Sequence, residues 1–312
     1  MENLIISFNA VIPMFIWMVL GYCIRLRGLL SETSQSQVNN LVFKVFMPTL
    51  LFYNIYKTDI DMALQPKLMF YIFGGILLMW LLAILIGVKA EKYAQKRGAM
   101  IQGMFRSNFI LFGLPLVINL FGTEGAGITS MAIAIVVPAY NILSVITLEL
   151  FRGCRISIRE VLAGIVKNPL IIASFIGMGF LFLKIPIPYF LESAVSGLAD
   201  IATPLALVIM GAAFQITVVK ENSRNLILSI IVKLAVMPLI FVTSAIFTGF
   251  RNIELATIMI VFAAPTAVAS FPMAKQMGSD ADLASEIIAF TTLISCFTIF
   301  LWIFVLKQIG LI

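Results

Sequence analysis

Two apolar stretches of this chain carry the residues best placed to do chemistry, and they match each other without a gap. One runs from Arg106 through Ser107, Asn108 and Gly113 to Pro115; the other from Ala263 through Pro265, Thr266 and Ser270 to Pro272. Each puts a proline seven residues after its Asn108 or Pro265. Proline removes a backbone donor and clashes one turn back, while Gly113, Ala267 and Ala269 let another backbone approach. Helices broken at Pro115 and Pro272 would leave N–H and C=O groups that must find a neighbouring helix, water or a ligand. Half-helix N-termini aimed at one crossing point would each present about half a positive charge, which suits a carboxylate. Asn108 can both donate and accept there, and Pro265 and Thr266 would face it from the second stretch.

The ionisable candidates divide into a cationic and an acidic set. Arg106 and Lys275 bracket the broken stretches and can attract an anion or anchor their helices. Lys275, one turn beyond Pro272, points better toward the crossing. Lys44 and Asp200 each precede a proline, Pro48 or Pro204, by four residues inside an apolar run. A charge at a helix centre costs roughly 2.5 to 3.5 kcal/mol on insertion scales. The two can form an intramembrane pair, or Asp200 can accept a proton; alternatively Lys44 snorkels and Asp200 joins a polar patch with Thr203. Asp280 and Asp282 read as helix caps. Glu286 lies deeper, and with Thr129 and Ser130 it is a candidate for holding sodium or relaying a proton.

The elements that must position these residues form a duplication. Asn108 falls on Pro265 at an offset of 157 (265 − 108), and Gly21, Lys44 and Pro48 fall on Gly177, Asp200 and Pro204 at 156. Apolar runs near the ~20 residues needed to cross a bilayer cover almost the whole chain. The expected spans are 4–24, 35–56, 67–88, 99–121, 126–149, 162–183, 193–215, 224–248, 253–277 and 283–307. Basic residues concentrate in alternate loops, which puts both termini outside and the loop at 151–161 in the cytoplasm. Five spans per half then require the second copy to enter the membrane upside down. The expected division is 1–150, a linker at 151–161, and 162–312.

Composition narrows the function. At 61% hydrophobic and 12% charged residues, the chain belongs in a bilayer, not in water. Its net charge of +6 is spread over loops, which fits orientation and argues against a nucleic-acid partner. Three cysteines and no histidine leave no disulfide framework, no thiolate metal site and no histidine base. An enzyme is therefore not expected, nor a cofactor beyond a coupling Na⁺ or H⁺. The N-terminal Met1-Glu2-Asn3 lacks the basic region of a cleavable signal, and the first span is read as retained.

Asn108-x4-Gly113-x-Pro115, Asn40 through Pro48, and Ala264-Pro265-Thr266-Ala267-Val268-Ala269 through Ala274-Lys275 resemble the auxin efflux carrier family, which includes plant auxin carriers and microbial malate and malonate carriers. The resemblance implies an all-α, ten-helix inverted repeat similar to the bile-acid-transporter and sodium/proton-antiporter fold. In that fold spans four and nine cross within a transport domain of spans three to five and eight to ten. Spans one, two, six and seven form a scaffold that can dimerise. Asn108, Pro115, Pro265 and Lys275 match the family pattern, whereas the long cytoplasmic loop of the plant carriers is missing. The expectation is a cell-membrane secondary transporter of small organic anions moving by an elevator-type shift. The alternative is a cation/proton antiporter of the same architecture.

Overall fold

A computed structural model describes residues 2–57, 65–152, 162–164, 166–214 and 216–312. The expected linker at 151–161 lies outside the described residues from 153 onward, as do the side chains of Pro115 and Ser130. The described residues are helical and contain no strand; an isolated antiparallel bridge joins Ser107 to Thr266. Among them, five helices are long and apolar enough to cross a membrane: Pro66–Ala90, Met131–Leu150, Tyr189–Ala213, Glu221–Phe247 and Ala281–Gln308.

In chain order the helices are α1 (Glu2–Leu26), α2 (Glu32–Leu41), α3 (Met47–Tyr56), α4 (Pro66–Ala90), α5 (Ala94–Phe105) and α6 (Phe109–Leu150). They continue as α7 (Pro169–Phe182), α8 (Tyr189–Ala213), α9 (Ile216–Ile231), α10 (Met237–Phe247), α11 (Asn252–Ala263), α12 (Ser270–Gln276) and α13 (Ala281–Gln308). Pro48 and Pro238 sit in the first turns of α3 and α10, where a missing N–H costs little. Each follows a π-helical turn, Val42–Phe46 or Val232–Val236, in which Met47 and Met237 donate to carbonyls five residues back. The wider turn joins α2 to α3 and α9 to α10 without a full break, a form often found at functional sites. Within α6, Gly122 has φ 67° and ψ −152°, so the chain turns there between two helical segments.

Two groups of helices pack side by side. α1 lies on α8, and α3 on α7 and α8, while α4, α5, α6 and α9 to α13 pack mostly among themselves. Glycine permits the tightest of these contacts. A Cβ on Gly21 of α1 would stand 1.9 Å from the Val208 carbonyl oxygen, and one on Gly211 of α8 would stand 2.0 Å from that of Met18. On the other side of this group, a Cβ on Gly177 of α7 would meet the Phe52 carbonyl oxygen of α3 at 3.1 Å. Small residues thus bring backbones together where the bilayer itself offers little drive for helix association.

Candidate anion site at the helix crossing

The breaks fall earlier than the prolines suggested. α5 ends at Phe105 and α6 begins at Phe109, so the first break is Arg106 to Asn108, and Pro115 lies inside the following helix. The second spans Ala264 to Ala269, with Pro265 inside it and Pro272 as the third residue of α12, a position proline tolerates. Here the two stretches meet. The Asn108 N–H donates to the Pro265 carbonyl at 2.7 Å. Proline has no N–H to return the bond, so this pair is held from one side only.

Side chains satisfy other backbone groups freed by the breaks. Thr291 Oγ1 accepts from the Thr266 N–H at 3.2 Å, Thr266 Oγ1 donates to Gly103 O at 2.7 Å, and the Tyr140 hydroxyl donates to Val261 O at 3.0 Å. Both donors of Thr266 are therefore engaged, and the residue is buried. Gly113 serves α6 itself, because a Cβ there would stand 2.9 Å from the Phe109 ring.

A cavity of about 360 Å³ lies beside the crossing. Its walls are Trp17 of α1; Met47, Leu50, Leu51 and Asn54 of α3; and Ala199, Asp200, Thr203 and Pro204 of α8. Arg106 through Ile110, Ala267 through Ala269, and Val136, Val137, Tyr140 and Asn141 of α6 close the other side. The cavity thus separates the two helix groups. Arg106 is 4% exposed; its guanidinium donates to Asn141 Oδ1 at 2.6 Å and to the Met273 sulfur. No carboxylate pairs with it among the described residues, whose ion pairs are Lys57–Glu192 and Arg152–Glu149. The Asn108 side-chain amide is buried and its Nδ2 has no partner among the described residues. The N–H groups of the first turn of α6 lack helical acceptors, and two of the residues that carry them, Phe109 and Ile110, line the same cavity.

The expected site residues are thereby sorted. Asn108 and Asp200 line the cavity, and Asp200 is exposed. Gly113, Pro265, Thr266 and Pro272 are buried in the framework around it. Lys275 stands outside the lining with its Nζ 5.9 Å from the Phe271 ring centroid, within electrostatic reach of Asp282 and Glu32. Arg106 is the cation that faces the cavity, because its position in the break turns it across α12 onto Met273. Lys44 is exposed and forms no ion pair with Asp200. Thr129 Oγ1 meets Thr257 Oγ1 at 3.1 Å, whereas Glu286 accepts from Asn222 at 3.4 Å, so these two oxygen donors have different partners.

The sequence reading passed over Lys233, Asn141 and Tyr140. Lys233 is fully buried in the π-helical turn and donates to Ser107 Oγ. A signal was available: like Lys44, Lys233 is a lysine inside an apolar run shortly before a proline, Pro238, though five residues before it and not four.

The sequence profile of the family described as membrane transport protein matches residues 6–160 and 153–303. The chain belongs to that family, the auxin efflux carriers. Within this membrane family it is similar to an "Uncharacterized transporter" of Methanothermobacter thermautotrophicus, with 24% identity covering 96% of this chain and 98% of that one. An "Uncharacterized transporter" of Methanocaldococcus jannaschii is also 24% identical, over 95% and 98% of the two chains. The "Putative malonate transporter" of Rhizobium meliloti is 22% identical, over 93% and 92%.

Proposed function

We propose that this auxin efflux carrier family member is a secondary transporter of small organic anions, carboxylates of the malate, malonate or auxin-like type, working by elevator-type alternating access. The observation that carries the reading is Arg106, a buried guanidinium on the cavity wall whose partners are a neutral amide and a thioether. Of its five N–H donors two are engaged, which leaves three for a ligand. A carboxylate takes two of them in parallel. An uncompensated cation at membrane depth is costly, and an arriving anion relieves that cost. Asn108 Nδ2 and the first-turn N–H groups of α6 supply further donors.

The inverted ten-span repeat is part of the proposal and has its own support. Gly21 packs on Val208 and Gly177 on Phe52, and the offset of 156 carries Gly21 to Gly177 and Phe52 to Val208. A contact and its exchanged counterpart are both present, as a two-fold axis in the membrane plane requires. Asn108 and Pro265, equivalent by sequence, stand opposite each other in the crossing. We assign α1 to α3, α7 and α8 to a scaffold that can pair with a second copy, and the remainder to the moving domain. The membrane is the cell membrane, with both termini outside by the distribution of basic loops. With the inside negative by 100 mV, export of each negative charge gains about 2.3 kcal/mol, while import requires protons, sodium or exchange.

Asp200, an exposed carboxylate on the cavity wall, is what favours the alternative of a cation/proton antiporter. Proteoliposomes separate the two. Labelled malonate, malate and indole-type acids are offered under imposed potential, pH and sodium gradients. Saturable anion flux lost in Arg106→Gln is the expected result; proton flux against sodium with no organic-anion flux would overturn it.

A further inference from the structure

Lys233 is 0% exposed, and its ammonium donates to Ser107 Oγ, one residue along the chain from Arg106. The Tyr140 hydroxyl oxygen, whose proton goes to Val261 O, lies 3.4 Å from that oxygen. Ser107 lines the cavity and Lys233 does not, so the hydroxyl stands between the ammonium and the space an anion would enter. No acidic side chain pairs with Lys233 among the described residues.

The elements packed on its turn are α5, α9, α10, α11 and α13. α5 carries Lys96 and Arg97 and leads into Arg106, α9 carries Glu221 and Arg224, and α13 carries Asp282 and Lys307 toward its ends; the Tyr140 hydroxyl of α6 lies by Ser107, and Asp200 lines the cavity. Glu286 and the Cys296 thiol stand on α13. Glu286 is bound to Asn222, which lies eleven residues back along Lys233's own helix, about 16 Å at 1.5 Å per residue. Lys96 donates to that same Asn222 at 2.7 Å, and Glu254 sits in the first turn of α11. Lys233 therefore reaches the cavity wall through the Ser107 hydroxyl, and neither it nor Arg106 has an acidic ion-pair partner among the described residues.

That arrangement can be relieved in two ways. An anion can bind in the cavity, or Lys233 can give up its proton. Because an anion stabilises the charged ammonium, and the charged ammonium strengthens the anion site, the two equilibria are linked and the linkage is reciprocal. We infer that Lys233 is the proton-coupling residue of this carrier, neutral when the cavity is empty and protonated when an organic anion occupies it. Anion and proton then travel together, the proton held on Lys233 Nζ and the anion on Arg106. A lysine suits the task, since its ammonium loses a proton on burial far more readily than a guanidinium does.

The inference rests on the anion-carrier reading and adds a count to it. Malonate binding to the purified full chain is measured by calorimetry between pH 7 and 9, in buffers of different ionisation enthalpy. The expected result is about one proton taken up per malonate bound, with affinity falling about tenfold per pH unit on the alkaline side. Lys233→Arg should bring the count to zero with binding still saturable. Lys233→Met should bind weakly with an affinity flat across that range. Glu286→Gln and Asp200→Asn should keep the count near one, whatever their affinities. Malonate binding without proton uptake in the wild type, or a count unchanged in Lys233→Arg and a pH slope retained in Lys233→Met, would overturn the inference and leave the carrier reading standing. Absence of binding by malonate, malate or indole acids would remove both.

Discussion

Replacing Arg106 by glutamine tests the site most directly, because the structure says what is lost. Glutamine keeps a donor for Asn141 Oδ1 but removes the charge from the cavity wall, and with it the guanidinium N–H groups not used by Asn141 and Met273. Truncating one member of a buried, hydrogen-bonded charge pair costs about 2 to 5 kcal/mol of binding. That is a loss of roughly 30-fold to several thousand-fold in affinity. Arg106→Lys should fall between, since it keeps the charge but cannot hold Asn141, Met273 and a carboxylate at once. The assay is malonate binding by calorimetry, followed by counterflow in proteoliposomes. Thermal unfolding in detergent checks that each variant is folded. A folded Arg106→Gln protein with malonate affinity within threefold of wild type would refute the assignment of Arg106 as the anion's partner.

Three further outcomes follow from other parts of the molecule. Asn108→Ala removes an amide whose Nδ2 has no partner among the described residues, so it should leave unfolding unchanged while weakening malonate binding by about 1 kcal/mol, around fivefold. Gly21→Ala forces a Cβ to within 1.9 Å of the Val208 carbonyl oxygen; separating α1 from α8 should cost about 1 to 3 kcal/mol and lower Tm, whereas Gly74→Ala, with nothing within 4 Å, should not. Burial pushes the Glu91 carboxyl up, but the Tyr93 N–H, the Asn225 amide, the Lys92 N–H and nearby Lys96 together hold it below its ordinary value. Its stabilisation of the α4–α5 turn is complete above the ordinary carboxylate pKa of about 4.3 and is lost as pH falls through the lower folded value. Glu91→Gln should therefore lower Tm at pH 7, by a margin that shrinks toward pH 3.

The helices occupy nearly the stretches marked by the apolar runs, because hydrocarbon thickness sets a length that hydropathy reports directly. The crossing was legible from the paired prolines, yet the breaks themselves were misplaced by several residues. Pro272 is tolerated in a first turn, and Pro115 is accommodated within α6; the chain opens instead where Arg106 to Asn108 and Ala264 to Ala269 pair across the bridge. That pairing is tertiary and leaves no local pattern. That Arg106 lines the cavity and Lys275 does not is likewise a tertiary matter. Distance from a proline along the chain says nothing about which face of a broken helix a long side chain will take. Asn141 and Tyr140 were unmarked because single polar residues in an apolar helix acquire meaning only through what they face, the Arg106 guanidinium and the Val261 carbonyl.

The one-sided bond from Asn108 to Pro265 bears on the carrier's resting preference. In a protein whose two states arise by exchanging the conformations of its halves, identical halves would make those states equal in free energy. Every unmatched pair tips that balance. Pro265 returns no hydrogen bond to Asn108, and Lys233 braces the bridge from one half alone. Under the proposed alternating access, the crossing would be a biased toggle, with the two access states unequal in energy before any substrate arrives.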